Sequence, residues 1–377
     1  MGKLRVLVVE DSNTVRAYLC GVLRSEPDIE VVADVGDGQS AIDLCASLRP
    51  DVVTLDMMLP TLTGLAATEH IMAYCPTPIL IVSASVNRGE LFKTYEALAA
   101  GAVDVLEKPS GDDDDAWNKR FIAALRMVAR IRVITHPRAR LNALHGGGGT
   151  GARSSGVSVP NATQRNGAEQ AREPSIKPPG ARRCELVALG ASTGGPGAIV
   201  EVLRALPHTF SPAILFVLHI GEPFGQSFAD WLSTQIGRPV AYATHGQAVS
   251  ALAGRVCMAP PSQHMRVVQG VVRLDDGPEL HSCRPSIDVL FESLAIGRAD
   301  STAACLLTGM GRDGASGLLA LRKAGALTIA QDEASSVVYG MPREAALIGA
   351  AAFVLPLREI GPALGALEPA TSIRGVT

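Results

Sequence analysis

Short runs of β-branched and aliphatic residues recur along the chain, each followed by a segment with apolar positions at helical spacing. In the first third the strand-like runs are LRVLVVE (4–10), IEVVADV (29–35), DVVTLD (51–56), TPILIVS (77–83) and AVDVLEK (102–108). Between and after them lie the amphipathic segments NTVRAYLCGVLR, SAIDLCASL, GLAATEHIMAYC, GELFKTYEALAAG and AWNKRFIAALRMVARI. Continuous apolar strands alternating with helices predict a parallel sheet covered on both faces, an α/β fold of (βα)5 type. The last helix opens on Asp112 to Asp115 and closes on Arg126, Arg130 and Arg132, the order a helix dipole favours. Its Trp117, Phe121, Leu125 and Val128 share one face and are assigned to the core.

The alternation stops at 135–182, a stretch without Phe, Tyr or Trp that carries four consecutive glycines and many Pro, Ser and Arg residues. Such a composition buries no core and reads as a flexible linker. The pattern resumes with ELVALGA, GAIVEVLRAL, AILFVLH, SFADWLSTQI and PVAYATH, which predicts a second doubly wound, mainly parallel α/β unit. MRVVQGVVRLDD breaks the alternation and predicts an antiparallel hairpin turning at Gln269 and Gly270. Strand and helix patterns return in SIDVLFESLAIG, TAACLLTG, GASGLLALRKAG, ALTIAQD and REAALIGAAAFVLP. The expected division is 1–134, a linker over 135–182, and 183–377. A length of 377 residues agrees with two cores.

Composition narrows the function. Hydrophobic residues make up 47% of the chain and the net charge is −3, which argues against disorder and against binding dominated by polyanions. Neither a helix-turn-helix pattern nor a basic face marks the second half as a nucleic-acid reader. The seven cysteines are scattered and form no CxxC pair, so neither a disulfide framework nor a zinc site is suggested and a reducing compartment fits. The chain runs directly into an acidic-ended strand, and no apolar run reaches the roughly 18 residues a membrane span needs. The expectation is a cytoplasmic protein without membrane insertion.

In open parallel sheets, working residues collect at the carboxyl ends of strands. In the first unit those ends carry Glu10 and Asp11, Asp56, Ser83 and Lys108. Carboxylates gathered there repel one another unless a cation shares them, and oxygen donors suit Mg2+. The set EDS, LD, VSA and EKP, in this order at strand ends, resembles a response-regulator receiver domain over the first 130 residues. The resemblance implies that Asp56 accepts a phosphoryl group from a histidine kinase. It also implies that Glu10, Asp11 and Asp56 hold Mg2+, and that Ser83 and Lys108 engage the phosphoryl oxygens. Val105 stands where that family usually places a switching aromatic, and LPTLTG replaces the common MPxMDG.

In the second unit, Gly190-Ala191-Ser192-Thr193-Gly194 fits GxSxG, a turn that exposes a serine hydroxyl between strand and helix. A phosphate loop would need GK[ST] or a spaced GxGxxG, and neither is present. A nucleophile needs a base and a group that orients the base. His219 and His245 both end strands, Asp313 follows a buried strand on a glycine-rich loop and Asp332 ends ALTIAQD, and spacing alone does not choose between the members of either pair. GASTGGP, RPSIDVLFESLA, LLTGMGRDGASGL and TIAQDEASSVVYGMPREA make residues 184–356 similar to the catalytic domain of the chemotaxis methylesterase family CheB.

That resemblance implies Ser192 as nucleophile, His219 as general base, Asp313 as the orienting acid, and the Met310 N–H in the oxyanion hole, with no cofactor for the ester chemistry. Around the histidine the chain reads VLHI where the family commonly has VQHM, placing Leu218 at the polar position. The implied activity is phosphorylation-activated hydrolysis of glutamyl methyl esters, with deamidation of glutamines, on chemoreceptor helices. The receiver is expected to cover the catalytic mouth until Asp56 is phosphorylated. Alternatives are the same chemistry in a non-motility chemosensory pathway, or a phosphorylation-controlled binding module with an inactive serine site.

Overall fold

The computed structural model describes residues 2–84, 88–109, 114–131, 133, 183–222, 224–225 and 227–369. The expected linker, 135–182, lies outside the described residues, as do Asp112, Asp113 and Arg132.

The first unit is a five-stranded parallel sheet, β1 (Leu4–Val9), β2 (Ile29–Val35), β3 (Val52–Leu55), β4 (Ile79–Ser83) and β5 (Asp104–Glu107), in the order β2-β1-β3-β4-β5. Helices α1 (Asn13–Arg24), α2 (Gly38–Leu48), α3 (Gly64–Tyr74), α4 (Arg88–Ala99) and α5 (Asp114–Val128) connect or follow the strands. Ser12, Asp37 and Thr63 cap the first three, each accepting a backbone N–H with its side-chain oxygen. Two apolar clusters lie on either face of the sheet, and Trp117, Phe121, Leu125 and Val128 are buried in one of them as expected. Arg126, beyond its place in the helix dipole, is paired with Glu26 and Asp28.

The second unit contains β6 (Arg183–Cys184), β7 (Leu186–Ala191), α6 (Gly195–Arg204), β8 (Ala213–Leu218), α7 (Phe228–Ile236), β9 (Val240–Tyr242) and β10 (Val256–Met258). The hairpin β11 (His264–Val268) and β12 (Val271–Asp275) follows, its Gln269 and Gly270 both at positive φ, as a two-residue hairpin turn requires. Then come α8 (Ile287–Ala295), β13 (Thr302–Leu306), α9 (Ala315–Lys323), β14 (Leu327–Gln331), α10 (Met341–Leu347), β15 (Phe353–Leu355), α11 (Leu357–Gly365) and β16 (Glu368–Pro369). Seven strands form one parallel sheet in the order β15-β14-β13-β7-β8-β10-β9. The sequence pattern anticipated neither β10, only three residues long, nor α11, which follows Pro356.

The two units touch. Helix α4 of the first packs on α6 and α7 of the second, and Leu91 and Tyr95 belong to the apolar cluster of the second unit rather than to either cluster of the first. Tyr95 is fully buried against Phe228 and Trp231, at ring-centroid distances of 5.3 and 5.4 Å, and its hydroxyl donates to the Phe224 carbonyl. Gly197, in the first turn of α6, faces Ala99 so closely that a Cβ there would lie 3.4 Å from its backbone. No helix among the described residues is long and apolar enough to cross a membrane.

Candidate active site and phosphoacceptor pocket

β7 is central in the larger sheet, with β8 on one side and β13 on the other, and the chain leaves it in both directions. This is the switch point at which open parallel sheets form a crevice. Ser192 follows β7, His219 follows β8, and Asp313 lies on the loop after β13. Three segments far apart in sequence thus meet at adjacent strand ends. The turn at Ser192 needs its glycines. A Cβ on Gly190 would come within 2.4 Å of Ile287, and Gly194 has φ +77° with Val337 2.5 Å from where a Cβ would sit.

Asp313 is almost fully buried and its carboxylate is held on both oxygens. Oδ1 accepts from the Ser286 hydroxyl at 2.7 Å and the Asp288 N–H at 3.1 Å; Oδ2 accepts from the Ile287 N–H at 2.7 Å. These donors form the start of α8, where helix N–H groups are unpaired and an anion is welcome. Burial alone would raise this carboxyl, but the bonds from His219, Ser286 and Ile287 hold it below the usual carboxylate range. His219 Nε2 donates to Asp313 Oδ2 at 2.9 Å, leaving Nδ1 to face outward, where the Cys283 sulfur lies 3.6 Å away. Burial opposes charging of the imidazole, yet the bond to Asp313 and the neighbouring Cys283 outweigh it and move its pKa up to about 9.

Ser192 and His219 line one cleft of about 370 Å³, together with Cys283, Arg284 and, from the first unit, Asp104 and Val105. Gly309 packs on the nucleophile turn, where a Cβ would meet the Ser192 Cβ at 2.6 Å, and Met310 is the next residue in the chain. Among the described residues the Met310 N–H has no hydrogen-bond partner.

The alternatives that spacing left open separate here. His245 is exposed and bonded through Nδ1 to the Leu274 carbonyl after an edge strand; Asp332 binds Ser335 through its own carboxylate. Neither is joined to the Ser192 cleft. Cys283, Ser286 and Tyr95 were missed by sequence reasoning. Ser286 carried a signal, a serine directly before the apolar run IDVLF, which is an N-cap position.

In the first unit Glu10, Asp11 and Asp56 bring carboxylate oxygens within 4.8 Å of one another. Lys108 Nζ donates to Glu10 Oε1 at 3.0 Å and forms an ion pair with Asp56 at 3.0 Å. Burial pushes the Glu10 carboxyl up, Lys108 pulls it back, and Asp56 adds repulsion, with a net rise. Ser83 is fully buried beside them, and its hydroxyl has no hydrogen-bond partner. Hard oxygen donors with no soft ligand fit Mg2+, and an orphaned hydroxyl at a strand end fits an incoming oxyanion.

The profile of the family described as CheB methylesterase matches residues 187–364, and that of the response regulator receiver domain matches 6–115. The protein-glutamate methylesterase/protein-glutamine glutaminase of Nitrosospira multiformis is 40% identical, the match covering 96% of each chain. A protein of the same description from Anaeromyxobacter dehalogenans is 41% identical, again over 96% of both. Among solved structures, the Thermotoga maritima CheB methylesterase catalytic domain is 32% identical and aligns with 48% of this chain and 97% of its own, at a TM-score of 0.45. The chain belongs to the CheB methylesterase family, with a receiver domain ahead of its esterase domain.

Proposed function

We propose that the protein is a phosphorylation-activated protein-glutamate methylesterase and protein-glutamine glutaminase, with Ser192, His219 and Asp313 as its triad. The observation that carries the reading is the 2.9 Å bond from Asp313 to His219, the histidine that lines the same cleft as Ser192. His219 Nδ1 takes the Ser192 proton as the hydroxyl oxygen attacks the glutamyl carbonyl, and the Met310 N–H stabilises the resulting oxyanion. The imidazolium then returns the proton to the departing methanol or ammonia, leaving an acyl-enzyme. Water, activated by the same imidazole, releases the free glutamate side chain. Asp313, fixed by the start of α8, keeps the ring in register and stabilises its charged form.

In this reading residues 1–134 form the receiver, 135–182 a tether and 183–377 the esterase. Asp56 takes a phosphoryl group from the histidine kinase of a chemosensory system, and Lys108 and Ser83 bind its oxygens. Glu10, Asp11 and Asp56 would hold Mg2+, which neutralises phosphoryl charge during transfer. The substrate is the cytoplasmic helical region of a methylated chemoreceptor. Packing of α4 on α6 and α7 supports the view that the unphosphorylated receiver blocks that approach.

The test is methanol release from methylated receptor membranes, with and without a small phosphodonor. Ser192→Ala should lower turnover by roughly 10⁴-fold or more. A variant hydrolysing at the wild-type rate removes Ser192 from the mechanism.

A further inference from the structure

Six of the seven cysteines are buried, and only Cys283 reaches solvent, at the esterase cleft. Its sulfur is 3.6 Å from His219 Nδ1. In a tetrahedral zinc site, bonds of about 2.3 Å to sulfur and about 2.0–2.1 Å to nitrogen set the two ligand atoms about 3.5–3.6 Å apart. The pair already has that separation. The other ring nitrogen, Nε2, donates to Asp313 at 2.9 Å, the carboxylate–imidazole bond that orients a metal-bound histidine and raises its basicity. Asp313 itself has both oxygens engaged by α8, so it supports the imidazole without needing to ligate. The cleft of about 370 Å³ leaves room for waters to complete the coordination, and the Ser192 hydroxyl lines the same space.

We propose that Cys283 and His219 form a binding site for a thiophilic divalent cation, zinc above all, and that its occupation switches the esterase off. Binding releases two protons to solvent, that of the Cys283 thiol and the one Nδ1 carries when the imidazole is charged, and the thiolate and the freed Nδ1 lone pair then hold the cation; no electron is transferred. With that lone pair on the metal, the imidazole has no free nitrogen to accept the serine proton, because Nε2 is committed to Asp313. A hard cation such as Mg2+ gains little from a thiolate and leaves the cleft open, so the same chain distinguishes the ion its receiver uses from the ion that stops its esterase.

The inhibitory consequence rests on the proposed triad, whereas the binding does not, and the experiment reads the two separately. Full-length protein is titrated with Co2+ as a spectroscopic stand-in, and thiolate-to-cobalt charge-transfer absorption is followed. Zn2+ is then used to displace the cobalt, and methanol release is measured against each protein's own metal-free rate. Wild type should show the band, lose it to Zn2+, and be inhibited over the same Zn2+ range. Cys283→Ser and Cys283→Ala should show no band and need about tenfold more Zn2+, or higher, for inhibition. Absence of the band in wild type, or equal zinc sensitivity in wild type and both variants, overturns the site. A band without inhibition overturns the switch. Ser192→Ala keeps the band in every case, so an active Ser192→Ala would sink the triad while leaving the cobalt result to judge this site.

Discussion

Tyr95→Ala tests whether the receiver holds the esterase closed. The side chain is fully buried and packs on Phe228 and Trp231 of the esterase, its one ring contact within the receiver, among the described residues, being Phe92 of the same helix at 6.3 Å. Truncating a buried aromatic costs about 3–5 kcal/mol. Almost all of that falls on the closed arrangement, because Tyr95 belongs to the esterase's apolar cluster and not to the receiver's own clusters. At about 1.4 kcal/mol per tenfold, the ratio of closed to open molecules drops by about 10²-fold to several thousandfold. A protein closed at about 99:1 in its resting state, a preference of about 2.7 kcal/mol, would then be mostly open. The assay is methanol release from methylated receptor membranes with and without phosphodonor, alongside phosphoryl incorporation at Asp56 as the measure of an intact receiver. The expected result is a basal rate close to the stimulated wild-type rate, little further stimulation, and unchanged incorporation. A basal rate equal to wild type with full stimulation retained would refute the argument.

Asp56→Asn should leave basal hydrolysis in place and abolish the response to phosphodonor; continued stimulation would move the phosphoacceptor elsewhere. Asp313→Asn removes the charge that stabilises imidazolium and invites the wrong tautomer, so turnover should fall by about 10⁴-fold, and a fall below tenfold would displace Asp313 from the triad. His219 has its pKa moved up to about 9, and a base acts only when deprotonated, so basal kcat/KM should climb as pH rises toward that value and level off above it. A flat profile between about pH 7 and pH 9 would contradict this. The side chains bonded to the ring nitrogens are Asp313 and Cys283.

Local pattern carried the sequence reading a long way, and its failures share one cause. Both parallel sheets, the hairpin turning at Gln269 and Gly270, and the acids at the receiver strand ends follow from periodicity within a few residues. Choosing His219 over His245, or Asp313 over Asp332, does not, because each member of a pair ends or follows a similar apolar strand. Strand order decides it. β8 lies beside β7, whereas β9 is the far edge of the sheet; β13 lies beside β7, whereas β14 is one strand removed. Motif resemblance supplied what periodicity could not. Tyr95 escaped for a related reason. On α4 it is one more apolar position of an amphipathic helix, and nothing within that helix says that its ring completes another unit's core.

Control of one unit by the other has a short physical route in this arrangement. Lys108, bonded to Asp56 and Glu10, immediately follows β5, and Asp104 and Val105 at the start of that strand line the Ser192 cleft. On the proposed reading, a phosphoryl group on Asp56 would compete for Lys108 and add charge at one end of a four-residue strand whose other end borders the esterase. With Val105 in place of a large aromatic, a ring rotation at that position is not available to carry the signal. The remaining levers are displacement of β5 and of α4, whose Tyr95, Leu91 and Ala99 make the contact. The exposed Arg88–Asp230 pair at the edge of this contact, 2.7 Å long, is worth about 1 kcal/mol or less, too little to set the balance beside the buried ring. If the receiver acts by covering the esterase, as proposed, regulation depends on an apolar surface that must separate as a unit, which favours two discrete arrangements over a graded response.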